Sequence, residues 1–219
     1  MTSAYHEVRL AHDPRREVLW RALWRHYFRQ LIGPEDCVLD IGCGHGAFIN
    51  AVTARKRIGL DSWPGFPAYL EPGVEAIVGT AIEVGELVTE PVDFAFASNL
   101  IEHLTQSDLV TMLAGVRKIL SGRGTLNIIQ PNFRYAYREY FDDYTHLTVY
   151  TDVGLCDLLR ASGFDILEVK PRFLPLSLKS RLPVRESLIR AYLASPIKPM
   201  GKQMLIRARP RPAIEQEGA

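Results

Sequence analysis

An α/β fold, with a doubly wound and mostly parallel sheet of seven strands, is predicted by three observations on this chain. First, short apolar runs at 38–41, 57–60, 74–78, 92–97, 125–129, 164–170 and 203–207 alternate with helical stretches. Second, the run Val38-Leu39-Asp40-Ile41 feeds a loop with glycine at every second position, Gly42-Cys43-Gly44-His45-Gly46. Third, the second run ends on another acid, Asp61, 21 positions after Asp40. Glycine lets the backbone take left-handed angles and lets a ligand lie against bare peptide groups. Strand-to-helix turns at the carboxyl edge of such sheets are where nucleotide-like ligands bind.

The elements follow in order. Asp13 as a cap and Pro14 in the first turn open a helix over 12–33, with Val18, Leu19, Ala22, Leu23, Tyr27 and Leu31 at helical spacing. Ala47, Phe48, Ile49, Ala51 and Val52 predict a helix directly after the glycine loop. A helix over 109–120 is closed by Ser121-Gly122, and one over 151–160 stops at Ser162-Gly163. The last two strands form an antiparallel edge, so the sheet is mostly parallel. Between them, 171–202 is an insertion. From Lys170 to Arg211 the only acid is Glu186, and Leu176, Leu178, Leu182, Leu188, Ile189, Tyr192 and Leu193 predict a short amphipathic helix there. Apolar residues outnumber what a phosphate-tracking surface needs, and no stacking aromatics alternate with the arginines. Three readings compete for the segment, a homodimer contact or substrate wall, a surface touching anionic lipid and an RNA-binding patch, and these features favour the first.

With 219 residues and 47% hydrophobic content, the chain can bury one core, and 1–219 is expected to be a single domain. A formal net charge of +1 announces no nucleic-acid partner. Cys37, Cys43 and Cys156 are odd in number and lack metal-type spacing, which predicts free thiols in a reducing compartment. No run approaches the ~20 apolar residues of a membrane span, and the N-terminus has no apolar signal core. A cytoplasmic protein without stable membrane insertion is the expectation.

The loop carries the chemistry. Asp40-x-Gly42-x-Gly44-x-Gly46 is not the Gly-x-Gly-x-x-Gly of a pyrophosphate site. A carboxylate at its start repels phosphate and suits the ammonium or sulfonium of an amino-acid-bearing cofactor. Asp61 offers two acceptor oxygens to ribose hydroxyls. The pattern resembles motif I of the class I S-adenosylmethionine (SAM) methyltransferases, and the resemblance covers about Cys37 to Gly163. It implies a Rossmann-like sheet with a SAM-binding core over 37–130. The cofactor-binding residues it implies are Asp40, Gly42, Cys43, Gly44, Gly46, Asp61, Thr80, Ala81, Asn99 and Leu100. Thr80 departs from the acid the family often places there, so the adenine contact is expected from backbone. Ser98-Asn99-Leu100-Ile101-Glu102-His103-Leu104 resembles the Ser-x-x-x-Glu-His-Leu of small-molecule methyltransferases. The absence of an Asn-Pro-Pro-Tyr-like sequence at this strand argues against nucleic-acid base amines as acceptors.

Pro131 to Tyr150, rich in tyrosine, follows the fifth strand and must overhang the carboxyl edge of the sheet. It is similar to a segment of bacterial polysaccharide-biosynthesis O-methyltransferases, the methylmannose-polysaccharide enzymes among them. The shared elements are Pro131-Asn132, Tyr140-Phe141-Asp142 and His146. The resemblance implies a saccharide or glycan acceptor, held here by Arg134, Tyr137, Tyr140 and Tyr144. His146, with His103 second, is expected to take the proton from the acceptor hydroxyl, while His45 lines the methionine pocket. Alternatively, Mg²⁺ held by Glu102, Asp142 and Asp143 acidifies that hydroxyl. Two other readings remain open: a lipid-linked, quinone or other small hydroxylated acceptor, and a non-catalytic SAM-binding partner protein.

Overall fold

Asp13 caps the first helix as expected, its side chain accepting the Arg15 N–H at 3.0 Å, and Pro14 occupies the first turn of α1, Pro14–His26. The computed structural model describes residues 13–175 and 184–212. The predicted helix over 12–33 ends early. Tyr27 leaves helical angles at φ −137° and ψ −59°, and a single 3₁₀ turn, Phe28–Gln30, follows. Packing explains the break, because it turns the fully buried Phe28 into a group of edge-on rings with Phe48 at 5.4 Å and Phe96 at 5.5 Å.

The strands are β1 (Cys37–Ile41), β2 (Lys56–Asp61), β3 (Val74–Val78), β4 (Val92–Ser98), β5 (Leu120–Pro131), β6 (Phe164–Pro175) and β7 (Gly201–Pro210). They form one seven-stranded sheet in the order β3-β2-β1-β4-β5-β7-β6. β1 to β5 pair in parallel, and β7 runs antiparallel between β5 and β6, so the closing pair makes the antiparallel edge. The strand order reverses between β1 and β4, which opens a crevice at their carboxyl ends.

The helices are α2 (Val84–Leu87), α3 (Gln106–Ile119), α4 (Phe133–Ala136), α5 (Asp152–Ala161) and α6 (Glu186–Ala194). On α3, Leu109, Met112, Leu113, Val116 and Ile119 recur at helical spacing and are buried against one sheet face. Burial of each contributes about 1.5–3 kcal/mol. Strand β4 serves both layers by alternation: Ala95 and Ala97 face α3, while Phe94 and Phe96 face α1 and Phe28. Among the described residues, no helix is long and apolar enough to cross a membrane.

One further expectation is corrected. The segment predicted as a helix after the glycine loop forms successive turns over 44–51, with Asn50 N–H bonded to the Gly46 carbonyl at 2.9 Å. Phe48, Ile49 and Val52 are buried as that reading required, but the chain must enter β2 at Lys56, too soon for a full helix. The amphipathic helix of the insertion is α6. It packs on α1, where Glu186 accepts from Arg25 at 2.7 Å and approaches His26 at 3.0 Å. Leu176, Leu178 and Leu182 lie outside the described residues.

α2 and α3 cross so closely that a Cβ on Gly85 would sit 2.6 Å from the Gly115 Cα, and one on Gly115 would sit 2.9 Å from the Gly85 nitrogen. A helical glycine with open surroundings gains about 1 kcal/mol on replacement by alanine. Here overpacking costs about 1–3 kcal/mol and reverses that sign. Gly115→Ala is expected to lower the melting temperature by about 2–10 °C in calorimetry, and an unchanged or raised value would refute this close crossing.

Candidate active site

The glycine loop owes its shape to β2. Gly42 and Cys43 both donate to the Leu60 carbonyl, at 2.7 and 3.2 Å, and Gly44 donates to Asp61 Oδ2 at 2.8 Å. The path needs left-handed backbone at Gly42, Gly44 and Gly46, with φ of 71°, 54° and 68°. Space distinguishes the three glycines. A Cβ on Gly42 would meet Leu100 at 2.8 Å and one on Gly46 would meet Leu70 at 2.5 Å, whereas one on Gly44 would meet nothing within 4 Å. The loop is thus packed at both shoulders and bare at its crest.

Asp40 is buried beneath it. Burial first, then the neighbouring Asp61 charge, pushes its carboxyl up to about 8, against a backbone hydrogen bond from Ile49. The same burial strongly raises the Cys43 thiol, so this is an inert packing residue rather than a nucleophile. Asp61 accepts Gly44 N–H on one oxygen and Trp63 N–H, at 2.8 Å, on the other, and each oxygen keeps a lone pair. Trp63 went unforeseen in the sequence, although its place two residues after Asp61 was a signal. With Tyr69 it flanks His45, whose ring centroid lies 5.2 Å from Trp63 and 4.4 Å from Tyr69. Thr80 forms a capping box with Glu83, which occupies its side chain locally, and Ala81 is buried.

The second wall follows β4. Asn99 takes φ 49° and is held there by Gln203, which donates to its side-chain oxygen at 2.7 Å. Leu100 lies against Gly42, and the 3₁₀ turn Ile101–His103 comes next. Glu102 is 1% exposed, and neither carboxylate oxygen has a hydrogen-bond partner among the described residues. Burial, then the Asp143 charge, raises it to about 8. His103 is lowered from its usual value chiefly by burial. Its Nδ1 lies 3.2 Å from the Thr145 carbonyl, which can only accept, so that contact places the proton on Nδ1.

The segment 131–150 folds back over this turn. Leu147 and Thr148 donate their backbone N–H groups to the Glu102 carbonyl at 2.8 and 3.2 Å, and the Thr148 hydroxyl bonds the Leu104 carbonyl. His146 thereby stacks edge-on against His103, with ring centroids 4.9 Å apart. One ligand atom from each of Glu102, His103 and His146 can lie within 4.8 Å of the others. This set differs from the expected metal ligands Glu102, Asp142 and Asp143. Asp143 Oδ1 instead accepts from the Thr145 N–H and hydroxyl at 3.1 and 2.6 Å, and Asp142 is exposed at the end of a separate 3₁₀ turn.

The expected acceptor residues divide into two groups. Tyr137 and Tyr144 are exposed, at 54% and 75%. Tyr140 is a correction: it is fully buried, and its hydroxyl donates to the Thr148 carbonyl, because the loop needs a core of its own. Arg134 is half-exposed and lies 3.4 Å from Asp152. Asn132 is fully buried and structural, donating to Asp152 at 2.9 Å and to the Pro171 carbonyl at 3.1 Å.

The sequence profile of the methyltransferase domain family matches residues 12–169. No curated protein matches the chain. Among solved structures, a SAM-dependent methyltransferase from Archaeoglobus fulgidus is 23% identical with a TM-score of 0.65, over 94% of this chain and 97% of that one. The CcbJ methyltransferase of Streptomyces caelestis is 13% identical with a TM-score of 0.67, over 94% and 96%. The plantazolicin methyltransferase BamL, solved with a desmethyl analogue and SAH, is 16% identical with a TM-score of 0.62, over 94% and 87%. With the crevice between β1 and β4 and the profile match over most of its length, the chain belongs to the methyltransferase domain family and has the Rossmann-like fold of SAM-dependent methyltransferases.

Proposed function

We propose that this enzyme uses SAM to methylate a hydroxyl of a saccharide or glycan intermediate. The observation that supports the reading is contiguity: Leu100 lies against Gly42, and the 3₁₀ turn that carries Glu102 and His103 follows it directly, so the Glu102-His103-His146 cluster adjoins the glycine loop. The residues fit the cofactor. Gly44 leaves open space, Asp61 keeps acceptor capacity for ribose hydroxyls, and below pH about 8 a nearby cation favours the buried Asp40 charge. Trp63 and Tyr69 offer aromatic faces beside them. When bound, SAM supplies a methyl group on a sulfonium sulfur that is open to in-line displacement.

The chain's own tasks are alignment and proton removal. Alignment contributes up to about 7–11 kcal/mol in favourable systems. Proton removal falls to the histidine cluster, and a correctly placed base is worth about 10²–10⁴-fold. Tyr137 and Tyr144 present the aromatic faces and hydroxyls that suit the C–H faces of sugars. A second reading keeps the chemistry and changes the acceptor. Phe141, Leu147, Val149 and Val153 are exposed at 60%, 64%, 44% and 53% beside those tyrosines, which favours an acceptor with an apolar part, such as a lipid-linked sugar. Leu188 and Ile197, exposed at 49% and 74% on and after α6, are the surface through which the expected homodimer would form.

Labelled methyl transfer from SAM to a panel of free, oligomeric and lipid-linked sugars tests the function, and transfer to none of them would sink it. His146→Ala is expected to keep SAM affinity within about twofold and to lose about 10²–10⁴-fold in turnover; near-normal turnover would remove His146 from the chemistry.

Asp40 makes binding pH-dependent. Its folded pKa of about 8 stands above the ordinary 3.8, so its stabilising contribution is present below pH ~4 and lost as pH rises through about 8. A cationic ligand favours the carboxylate, so binding releases a proton. SAM affinity should fall by up to about tenfold per pH unit below 8, and Asp40→Asn should abolish both slopes. Calorimetric titrations between pH 6 and 9 that show no such difference would exclude this role for Asp40.

A further inference from the structure

We infer that Glu102, His103 and His146 form a binding site for one divalent transition-metal ion of the zinc or manganese kind. Three observations converge. One ligand atom from each residue can lie within 4.8 Å of the others. At metal–ligand distances of about 2.0–2.2 Å, the donors must stand roughly 3–3.5 Å apart, so side-chain rotation of an ångström or so closes the set. Glu102 is 1% exposed and aimed into the cluster, with both oxygens buried and without a hydrogen-bond partner among the described residues. An isolated buried carboxylate is costly, and protonation would not satisfy it, because the new O–H would still need an acceptor. Coordination would satisfy it directly.

The surroundings have the form of a metal ligand's support. The Thr145 carbonyl and hydroxyl stand 3.2 and 3.0 Å from His103 Nδ1, and the Thr145 hydroxyl in turn donates to Asp143 at 2.6 Å. This chain fixes the ring with its proton on Nδ1, the tautomer in which Nε2 is the ligating nitrogen, as outer partners of metal-bound histidines do. Asp143, expected as a ligand, is thereby a supporting residue. The backbone bonds from Leu147 and Thr148 to the Glu102 carbonyl hold the residue after His146 against the turn that carries the other two donors. Two imidazoles and one carboxylate suit borderline metals, whereas Mg²⁺ prefers oxygen donors and keeps its waters.

The role of such an ion rests on the hydroxyl methylation proposed above. A metal here would lower the pKa of the acceptor hydroxyl, whose proton leaves to solvent. The S–CH₃ bond would break as the O–CH₃ bond forms, and with the ion bound the imidazoles would serve as its ligands in place of the base role given to them above.

The test titrates chelator-treated protein with Zn²⁺, Mn²⁺ and Mg²⁺ by calorimetry, with SAM titrated in parallel and folding checked by thermal melting. Expected are one Zn²⁺ or Mn²⁺ per chain, Mg²⁺ weaker by at least about 100-fold, and loss of at least about 100-fold in affinity for Glu102→Gln and His146→Ala, with Asp142→Asn unchanged. Should Glu102→Gln fail to fold, the less buried His146→Ala carries the comparison. No stoichiometric binding to the wild type, or binding that survives both substitutions, overturns the site. SAM binding without metal binding overturns the site and leaves the methyltransferase reading intact. Metal binding without methyl transfer to any hydroxylated acceptor confirms the site and overturns the hydroxyl chemistry.

Discussion

Everything at the carboxyl edge depends on the attachment of the glycine loop to the end of β2. Three successive N–H groups, those of Gly42, Cys43 and Gly44, are held by the Leu60 carbonyl and the Asp61 carboxylate. Parallel pairing of Asp40 with Gly59 and of Ile41 with Leu60 brings those partners into reach. Because the acceptors lie on a neighbouring strand, the loop has one register and the three glycines are forced to positive φ. The Asp61 side chain both shapes the loop and keeps capacity for a ligand, so folding and recognition draw on one group.

The opposite wall is built on the same logic. β4 pairs with β1 and ends on Ser98, which delivers Leu100 onto Gly42 and Glu102 into the interior. The 131–150 segment is then clamped to the Glu102 backbone. That segment buries Ala136 and Tyr140, joins the main core through Tyr150, and turns Tyr137 and Tyr144 outward. Three buried acids, Asp40, Asp61 and Glu102, therefore surround a crevice in a chain of nearly neutral net charge. Buried carboxylates left partly unsatisfied are destabilising, and such groups persist where a ligand completes them.

Local chemistry explains what was legible beforehand. β1, β3 and β4 were readable because their apolar runs are short and end in acid, glycine or Ser-Asn punctuation. The Asp40–Gly46 loop and Asp61 were readable because glycine takes those backbone angles at the least cost and a carboxylate suits that strand end. The early stop of α1 at His26 was not, because the rings that capture Phe28 come from Phe48, Phe94 and Phe96, distant in the chain. Nor were the turns at 44–51, since apolar spacing does not reveal how soon β2 must begin.

The sequence by itself determined the α/β class, the succession of strands along the chain, the position of the glycine loop and the identity of its acidic partners, because each is written in residues close together or in a strong local preference. Only the tertiary structure decided which polar residues meet. His103 and His146 are 43 positions apart (146 − 103), and nothing in their local patterns predicts that backbone bonds to the Glu102 carbonyl bring them side by side. The same folding buries Tyr140 and engages Asp143 with the Thr145 N–H and hydroxyl. Local preference selects elements, but long-range hydrogen bonds and packing select neighbours, and the chemistry of a site belongs to neighbours.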